Sequence, residues 1–213
     1  MIINLPEQTV ERLSQYRRIL LNYQYLDHAY IFSHNLARVL KTKSGTVRRD
    51  LMLIGVSGDV HKGYDINLIL RKISEAIDGD TPENICFIGI GNLGRSVANH
   101  FAAGNGNLRV VAAFLFDQHQ SIFPDVPEYD LTMLSEVIKQ QNILICALAV
   151  PRDYAREITL LLVNSGIMGI LNFTATQLQV PKHVFVEDYD MVAKLEKVSY
   201  FMKMAKNHQQ AFD

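Results

Sequence analysis

Two groups of residues in this chain have the types and spacing that binding chemistry needs. The first is Gly89-Ile90-Gly91-Asn92-Leu93-Gly94, which follows the apolar run Ile85 to Ile88 and opens a stretch where Leu93, Val97 and Phe101 recur at helical spacing. In a strand-turn-helix unit, a first glycine permits the tight turn, a second lets a pyrophosphate approach the backbone, and a third lets the helix lie close to the sheet. Gly89, Gly91 and Gly94 fill those places, with Asn92 and Leu93 in the same loop. Free amides at the helix N-terminus would then face the phosphates of NADH or NAD+. Asp117, 23 residues beyond Gly94, is the candidate acid for the adenine ribose hydroxyls and would disfavour NADP. Ala149-Val150-Pro151 and Asn172-Phe173 close later apolar runs and are expected near the nicotinamide half.

The second group is basic. Arg38, Lys41, Lys43, Arg48 and Arg49 occupy a stretch without an acid, although the whole chain has a formal net charge of -1. Residues 1–80 carry 11 basic and 9 acidic residues, a net +2, and the remainder carries 10 and 13, a net -3. Phosphate binding needs a local patch of this kind, not a basic protein. Ser44 and Thr46 are small polar residues just ahead of Arg48 and Arg49, an order that lets a helix enter a major groove with its backbone close to DNA.

The elements that must position these residues follow from periodicity. Val10, Leu13, Tyr16, Leu20 and Tyr23 predict one face of a first helix. Ser33 is expected to cap a second helix carrying Leu36, Ala37 and Leu40, and Ser44 a third in which Val47, Leu51 and Ile54 face inward. Gly55, Gly58 and Gly63 punctuate a two-stranded wing with Asp59, Val60, His61 and Lys62 near its tip, so His61 and Lys62 join the candidate DNA contacts. Asp65 caps a further helix bearing Ile66, Ile69, Ile73 and Ile77, which ends in the polar run Asp78-Gly79-Asp80-Thr81-Pro82. Beyond it, the apolar runs 85–88, 110–116, 143–150, 167–173 and 184–186 alternate with helical stretches. That alternation predicts a parallel sheet covered on both faces. A last helix from about Asp190 places Leu195, Val198, Met202 and Ala205 on one side, where a partner subunit could pack.

The fold class is therefore α/β: a winged-helix DNA-binding domain over 1–80, a Rossmann nucleotide-binding domain over 81–189 and a C-terminal dimerisation helix over 190–213. No apolar run approaches the roughly 20 residues that a membrane helix needs, and a cytoplasmic protein is expected. Cys86 and Cys146 lie inside apolar runs and read as small buried hydrophobes. Only 27 residues follow the last expected strand, too few for a substrate domain, so no enzyme activity is expected.

The layout and many residues resemble the Rex family of redox-sensing transcriptional repressors over essentially the whole chain. The resemblance is carried by Arg12-Leu13 with Tyr16, Val47-Arg48-Arg49-Asp50-Leu51, Gly63-Tyr64-Asp65, Gly91-Asn92-Leu93-Gly94-Arg95, Ala149-Val150-Pro151 and Gly166-Ile167-Met168-Gly169-Ile170-Leu171-Asn172-Phe173. It implies a homodimer whose C-terminal helices are exchanged between subunits, which binds operator DNA with NAD+ and leaves it with NADH. By the same resemblance Arg18 links the DNA-binding and nucleotide domains, and Asp190 pairs across the dimer near the nicotinamide. The chain also departs from the family: His100 stands where relatives have the tyrosine that partners that carboxylate, and Leu115 where they have the aspartate ending the second strand. Asp59 and Val60 stand where a basic wing residue is common, and Thr174-Ala175 where Ala-Pro is usual.

The leading reading is a DNA-binding repressor controlled by the NADH/NAD+ ratio. A regulator of the same fold with lost or altered NADH sensing and a small NAD-dependent oxidoreductase are the alternatives.

Overall fold

A computed structural model describes residues 4–79, 81–89, 107–116, 126–174 and 176–210. They fall into two compact units, Met1–Thr81 and Pro82–Asp213.

The first unit runs α1 (Glu7–Tyr25), β1 (Tyr30–Ile31), α2 (Ser33–Val39), α3 (Ser44–Leu53), β2 (Tyr64–Asp65) and α4 (Ile66–Ile77). Its core is one cluster in which Leu13, Tyr16 and Leu20 of α1 meet Leu36 of α2, Val47 and Leu51 of α3, and Ile69 and Ile73 of α4. The inward stripe of α1 begins at Thr9, not at Val10, which is 39% exposed. The 3.6-residue period places Thr9 on the line of Leu13, Tyr16 and Leu20, and a buried acid described below draws its hydroxyl in.

Asp65 caps α4 as expected, its Oδ1 accepting from Leu68 N at 2.9 Å. The expected serine caps are corrected: Phe32 and Lys43 occupy the N-cap positions, without a side-chain cap bond, and Ser33 and Ser44 are the first residues of their helices. One position inside the helix, a serine is no longer the residue whose oxygen reaches forward to the first-turn amides. The wing is also built differently from its sequence reading. Its returning strand β2 pairs antiparallel with β1, which precedes α2, and inside the wing only the Asp59–Gly63 bridge is formed among the described residues.

In the second unit the described strands are β3 (Glu83–Ile88), β4 (Leu108–Leu115), β5 (Glu128–Asp130), β6 (Ile143–Leu148), β7 (Gly169–Asn172) and β8 (Phe185–Asp188). All neighbours pair in parallel, in the order β5-β4-β3-β6-β7-β8. Helices α5 (Leu134–Gln140) and α6 (Arg152–Ser165) connect strands, and α7 (Met191–Gln210) ends the described chain. Apolar residues cluster on both faces of the sheet, Ile88, Leu148 and Ile170 with α5 and α6, and Phe87, Ala113 and Ala147 opposite. This two-faced burial is why the strands read as continuous apolar runs. Strand β5, Glu-Tyr-Asp at the sheet edge, escaped the sequence reading because a polar three-residue edge strand has no apolar run to show. Cys86 and Cys146 are register partners on β3 and β6, both free and fully buried, and burial next to Cys86 pushes the Cys146 thiol well up. Among the described residues no helix is long and apolar enough to cross a membrane.

Candidate nucleic-acid interface and nucleotide edge

Helices α2 and α3 are joined by a tight turn. Lys41 takes a left-handed conformation (φ 52°), and Thr42 N then donates back to Ala37 O at 2.9 Å. This six-to-one bond ends α2 and reverses the chain in a few residues. On α3, Val47, Asp50 and Leu51 are buried, Ser44 and Thr46 are half-buried, and Arg48 and Arg49 are exposed. The helix therefore presents both arginines to solvent from a face opposite its core contacts.

What holds α3 in place is a charge network that sequence reasoning missed. The Arg12 guanidinium on α1 grips Asp50 with two bonds, Nε to Oδ2 at 2.7 Å and Nη2 to Oδ1 at 2.8 Å. Tyr16 OH donates to Oδ2 at 2.8 Å and Thr9 Oγ1 to Oδ1 at 3.2 Å. Asp50 is 2% exposed and Arg12 23%. Burial pushes the Asp50 carboxyl up, but hydrogen bonds from Arg12, Tyr16 and Thr9 outweigh it and leave the group below its ordinary value. A bidentate arginine–carboxylate pair fixes orientation as well as distance, so the pitch of α3 is tied to α1. The available signal was an acid in the middle of an otherwise inward-facing stripe, which requires a cation on the element opposite.

His61 and Lys62 lie exposed at the wing tip, held by Asp59 Oδ1, which accepts from both of their backbone amides at 2.8 Å. Arg18 is exposed on α1 and shares a shallow groove with Gln15, Val39 and Lys41. Its neighbour Arg17 instead pairs with Asp78 at 2.9 Å, joining α1 to the end of α4.

The second unit brings together the other part of the candidate site. The chain runs outward from β3 to β4 and β5, then returns to β6 on the opposite side of β3. Crevices outside the carboxyl ends of strands, at such a reversal, are where open α/β sheets bind ligands. Gly89 sits at this point with φ 69°, and a Cβ there would lie 2.6 Å from Ala149 O and 2.9 Å from Val150 Cγ1. The neighbouring ends are stitched by Gly89 N to Phe114 O at 3.2 Å, Ala149 N to Ile88 O at 2.9 Å and Phe173 N to Leu148 O at 2.8 Å. Pro151 follows as the N-cap of α6, whose first-turn amides open at the same edge. Gly91, Asn92, Leu93, Gly94, His100 and Asp117 lie outside the described residues.

Asn172 proves to be a corner post. It is 2% exposed; its Nδ2 donates to Asp188 Oδ1 at 2.7 Å and Thr176 O at 2.9 Å, while its Oδ1 accepts from Thr174 N and Oγ1. All of its side-chain amide groups are used inside the protein, which fixes the shape of this edge. Phe173 is half-buried and packs against Tyr189, ring centroids 5.3 Å apart. Asp190 is exposed and caps α7 through Ala193 N at 2.9 Å.

Comparison with known proteins covers both units. Residues 4–51 match the family model described as "Putative DNA-binding protein N-terminus", and residues 80–176 match "CoA binding domain". The redox-sensing transcriptional repressor Rex of Listeria welshimeri is 33% identical over 204 residues, covering 93% of this chain and 94% of that protein. RSP, a Rex-family repressor solved in complex with NAD+ and operator DNA, superposes with a TM-score of 0.81 at 26% identity, covering 97% of this chain and 96% of RSP. RSP in complex with NADH superposes with a TM-score of 0.80 at 25% identity, covering 97% and 98%. With its two units and their sequence matched along nearly the whole length, the chain belongs to the Rex family of redox-sensing transcriptional repressors.

Proposed function

We propose that this protein is a transcriptional repressor that binds operator DNA through its first unit and senses the NADH/NAD+ ratio through its second. NADH releases it from DNA. The observation that carries the reading is that one chain holds an exposed Arg48-Arg49 pair on a turn-mounted helix and a glycine edge at the reversal point of a parallel sheet. Full-length likeness to a repressor solved with NAD+ and operator DNA, and with NADH, supports it.

In this reading Arg48 and Arg49 reach bases or phosphates, Ser44 and Thr46 allow close approach, and His61 and Lys62 extend the contact from the wing. Gly89, with Gly91, Asn92, Leu93 and Gly94, receives the pyrophosphate, and Asp117 takes the adenine ribose. Ala149, Val150, Pro151 and Phe173 line the nicotinamide half, with Asn172 holding their edge. The protein works as a homodimer: Leu195, Val198 and Phe201 of α7 are 64%, 65% and 59% exposed in the single chain, and a second copy covers them. Arg18, His100 and Asp190 carry the signal between subunits and units. The protein is a regulator and not a dehydrogenase.

The test selects an operator from random duplexes with purified protein, then titrates NADH or NAD+ into the complex while following fluorescence anisotropy. NADH should dissociate the complex at concentrations where NAD+ does not. A second reading, altered NADH sensing, is favoured by Leu115, which ends β4 where the family resemblance places an aspartate. In that case DNA binding would survive and ignore both nucleotides.

A further inference from the structure

The wing tip is exposed and is held by its own hydrogen bonds. Asp59 N donates to Gly63 O at 2.7 Å and Gly63 N to Asp59 O at 2.9 Å, closing a loop made of Val60, His61 and Lys62. Inside that loop the Asp59 carboxylate accepts from His61 N and Lys62 N, both at 2.8 Å. The base is equally constrained: Gly63 has φ 84°, and a Cβ on it would lie 2.5 Å from Ile31 O, so the chain leaving the wing enters β2 pressed close against β1. Val60, at the apex, is 88% exposed.

An acid at the tip of a DNA-reading wing faces phosphate repulsion, a cost that a purely electrostatic contact would avoid. Its carboxylate is turned inward onto two backbone amides, while Val60, His61 and Lys62 are exposed. We propose that Asp59 is a positioning residue for operator recognition, fixing the wing tip so that Val60 meets the groove as an apolar contact with His61 and Lys62 beside it. Short side chains with an oxygen acceptor organise such turns by this means, and apolar side chains in a minor groove read its shape and deformability. Backbone hydrogen bonds from Lys62 and His61 hold the Asp59 carboxyl below its usual range. The inference rests on the reading of the first unit as a DNA-binding wing and helix.

Geometry and charge are separated by two substitutions. Asp59→Asn keeps an oxygen that accepts from the same two amides but removes the charge; Asp59→Ala removes both. Binding of the full-length protein to its selected operator and to a scrambled duplex is measured across a salt series, alongside Lys62→Ala and Arg48→Ala. Asp59→Asn should tighten both duplexes about twofold by removing one repulsive charge. Asp59→Ala should weaken the operator about fivefold while leaving the scrambled duplex no weaker than in the parent, so that specificity falls. Amide exchange at His61 and Lys62 should accelerate in the alanine variant and not in the asparagine one. Equal operator affinity for Asp59→Ala and Asp59→Asn overturns the proposal, because the carboxylate would then act only as a charge. Loss of binding in Arg48→Ala with none in Asp59→Ala or Lys62→Ala overturns it too, while leaving the DNA-binding reading intact. If Arg48→Ala also binds like the parent, both fall.

Discussion

Helix α3 and the sheet edge at Gly89 are positioned by opposite means. Helix α3 is set by side chains: a buried carboxylate, Asp50, held by a guanidinium, a phenol and a hydroxyl from α1. The edge at Gly89 is set by backbone: main-chain amides stitch the strand ends together, and the contact that matters is the space a hydrogen atom leaves beside Ala149 O. The first arrangement depends on charge and fails with protonation or truncation. The second depends on shape and fails when one methyl is added. In a regulator that must keep both surfaces ready, the difference predicts which perturbation disables which half.

The largest effect is expected at Asp50. Asp50→Ala leaves Arg12 without its partner inside the first unit, and breaking a buried pair in this way costs about 3 kcal/mol or more. Because the carboxyl lies below its ordinary value when folded, its contribution is complete at neutral pH and is lost as pH falls from about 4 through the folded value. Chemical denaturation from pH 7 to 3, read by amide exchange in α1 and α3, should show the parent losing this increment. Asp50→Asn should be less stable at pH 7 and show a flatter acid limb. A parallel acid limb in parent and variant would mean that the network contributes nothing through charge.

Gly89→Ala should come next, and in the other unit. The alanine must adopt φ near 69° and push its Cβ to 2.6 Å from Ala149 O, a conformational and steric penalty of about 2 kcal/mol. Calorimetry should find weakened NADH binding, with α1 and α3 exchanging as in the parent. Preserved NADH affinity would remove Gly89 from the nucleotide edge.

Each region was legible in sequence only where its cause was local. The cap at Asp65 and the Ile66, Ile69, Ile73 stripe could be read because a helix start and a 3.6 period are neighbourhood properties. So could Gly89, announced by the apolar strand in front of it. Ser33 and Ser44 misled by one position because a serine signals a helix start without fixing its register. Strand β1, two residues long, exists only through its pairing with Tyr64–Asp65, which no local pattern reveals. The same holds for Arg12 and Asp50, 38 residues apart, and for Asn172, whose place at the end of an apolar run was legible but whose partners Asp188, Thr174 and Thr176 were not. Side-chain positioning is a tertiary fact, and the α3 clamp was accordingly the part least visible beforehand.

Arg48 and Arg49 sharpen the comparison because they touch neither positioning device. Both are exposed, so alanine at either position should leave stability within about 0.5 kcal/mol and NADH affinity unchanged. Operator binding should weaken by about 1–3 kcal/mol for each arginine that grips a guanine. A uniform loss on operator and scrambled duplexes would instead assign that arginine to a phosphate.

The smallest effect concerns the turn that connects α2 and α3. Lys41 holds φ 52°, a conformation that glycine adopts without the Cβ clash, and its backbone is what lets Thr42 N close on Ala37 O. Lys41→Gly relieves about 1 kcal/mol of local strain but loosens the unfolded chain, so a net gain of about 0.5 kcal/mol is expected. The same substitution removes a cation from the acid-free stretch. If Lys41 neutralises a phosphate, the slope of log affinity against log salt should fall by about 0.9, so that the variant is more stable and a weaker DNA binder at low salt. Stability and affinity moving in opposite directions would show that the turn residue was kept for its charge at the expense of its geometry. A loss of stability would instead mean that the lysine stem packs along the Arg18 groove and that this packing outweighs the strain.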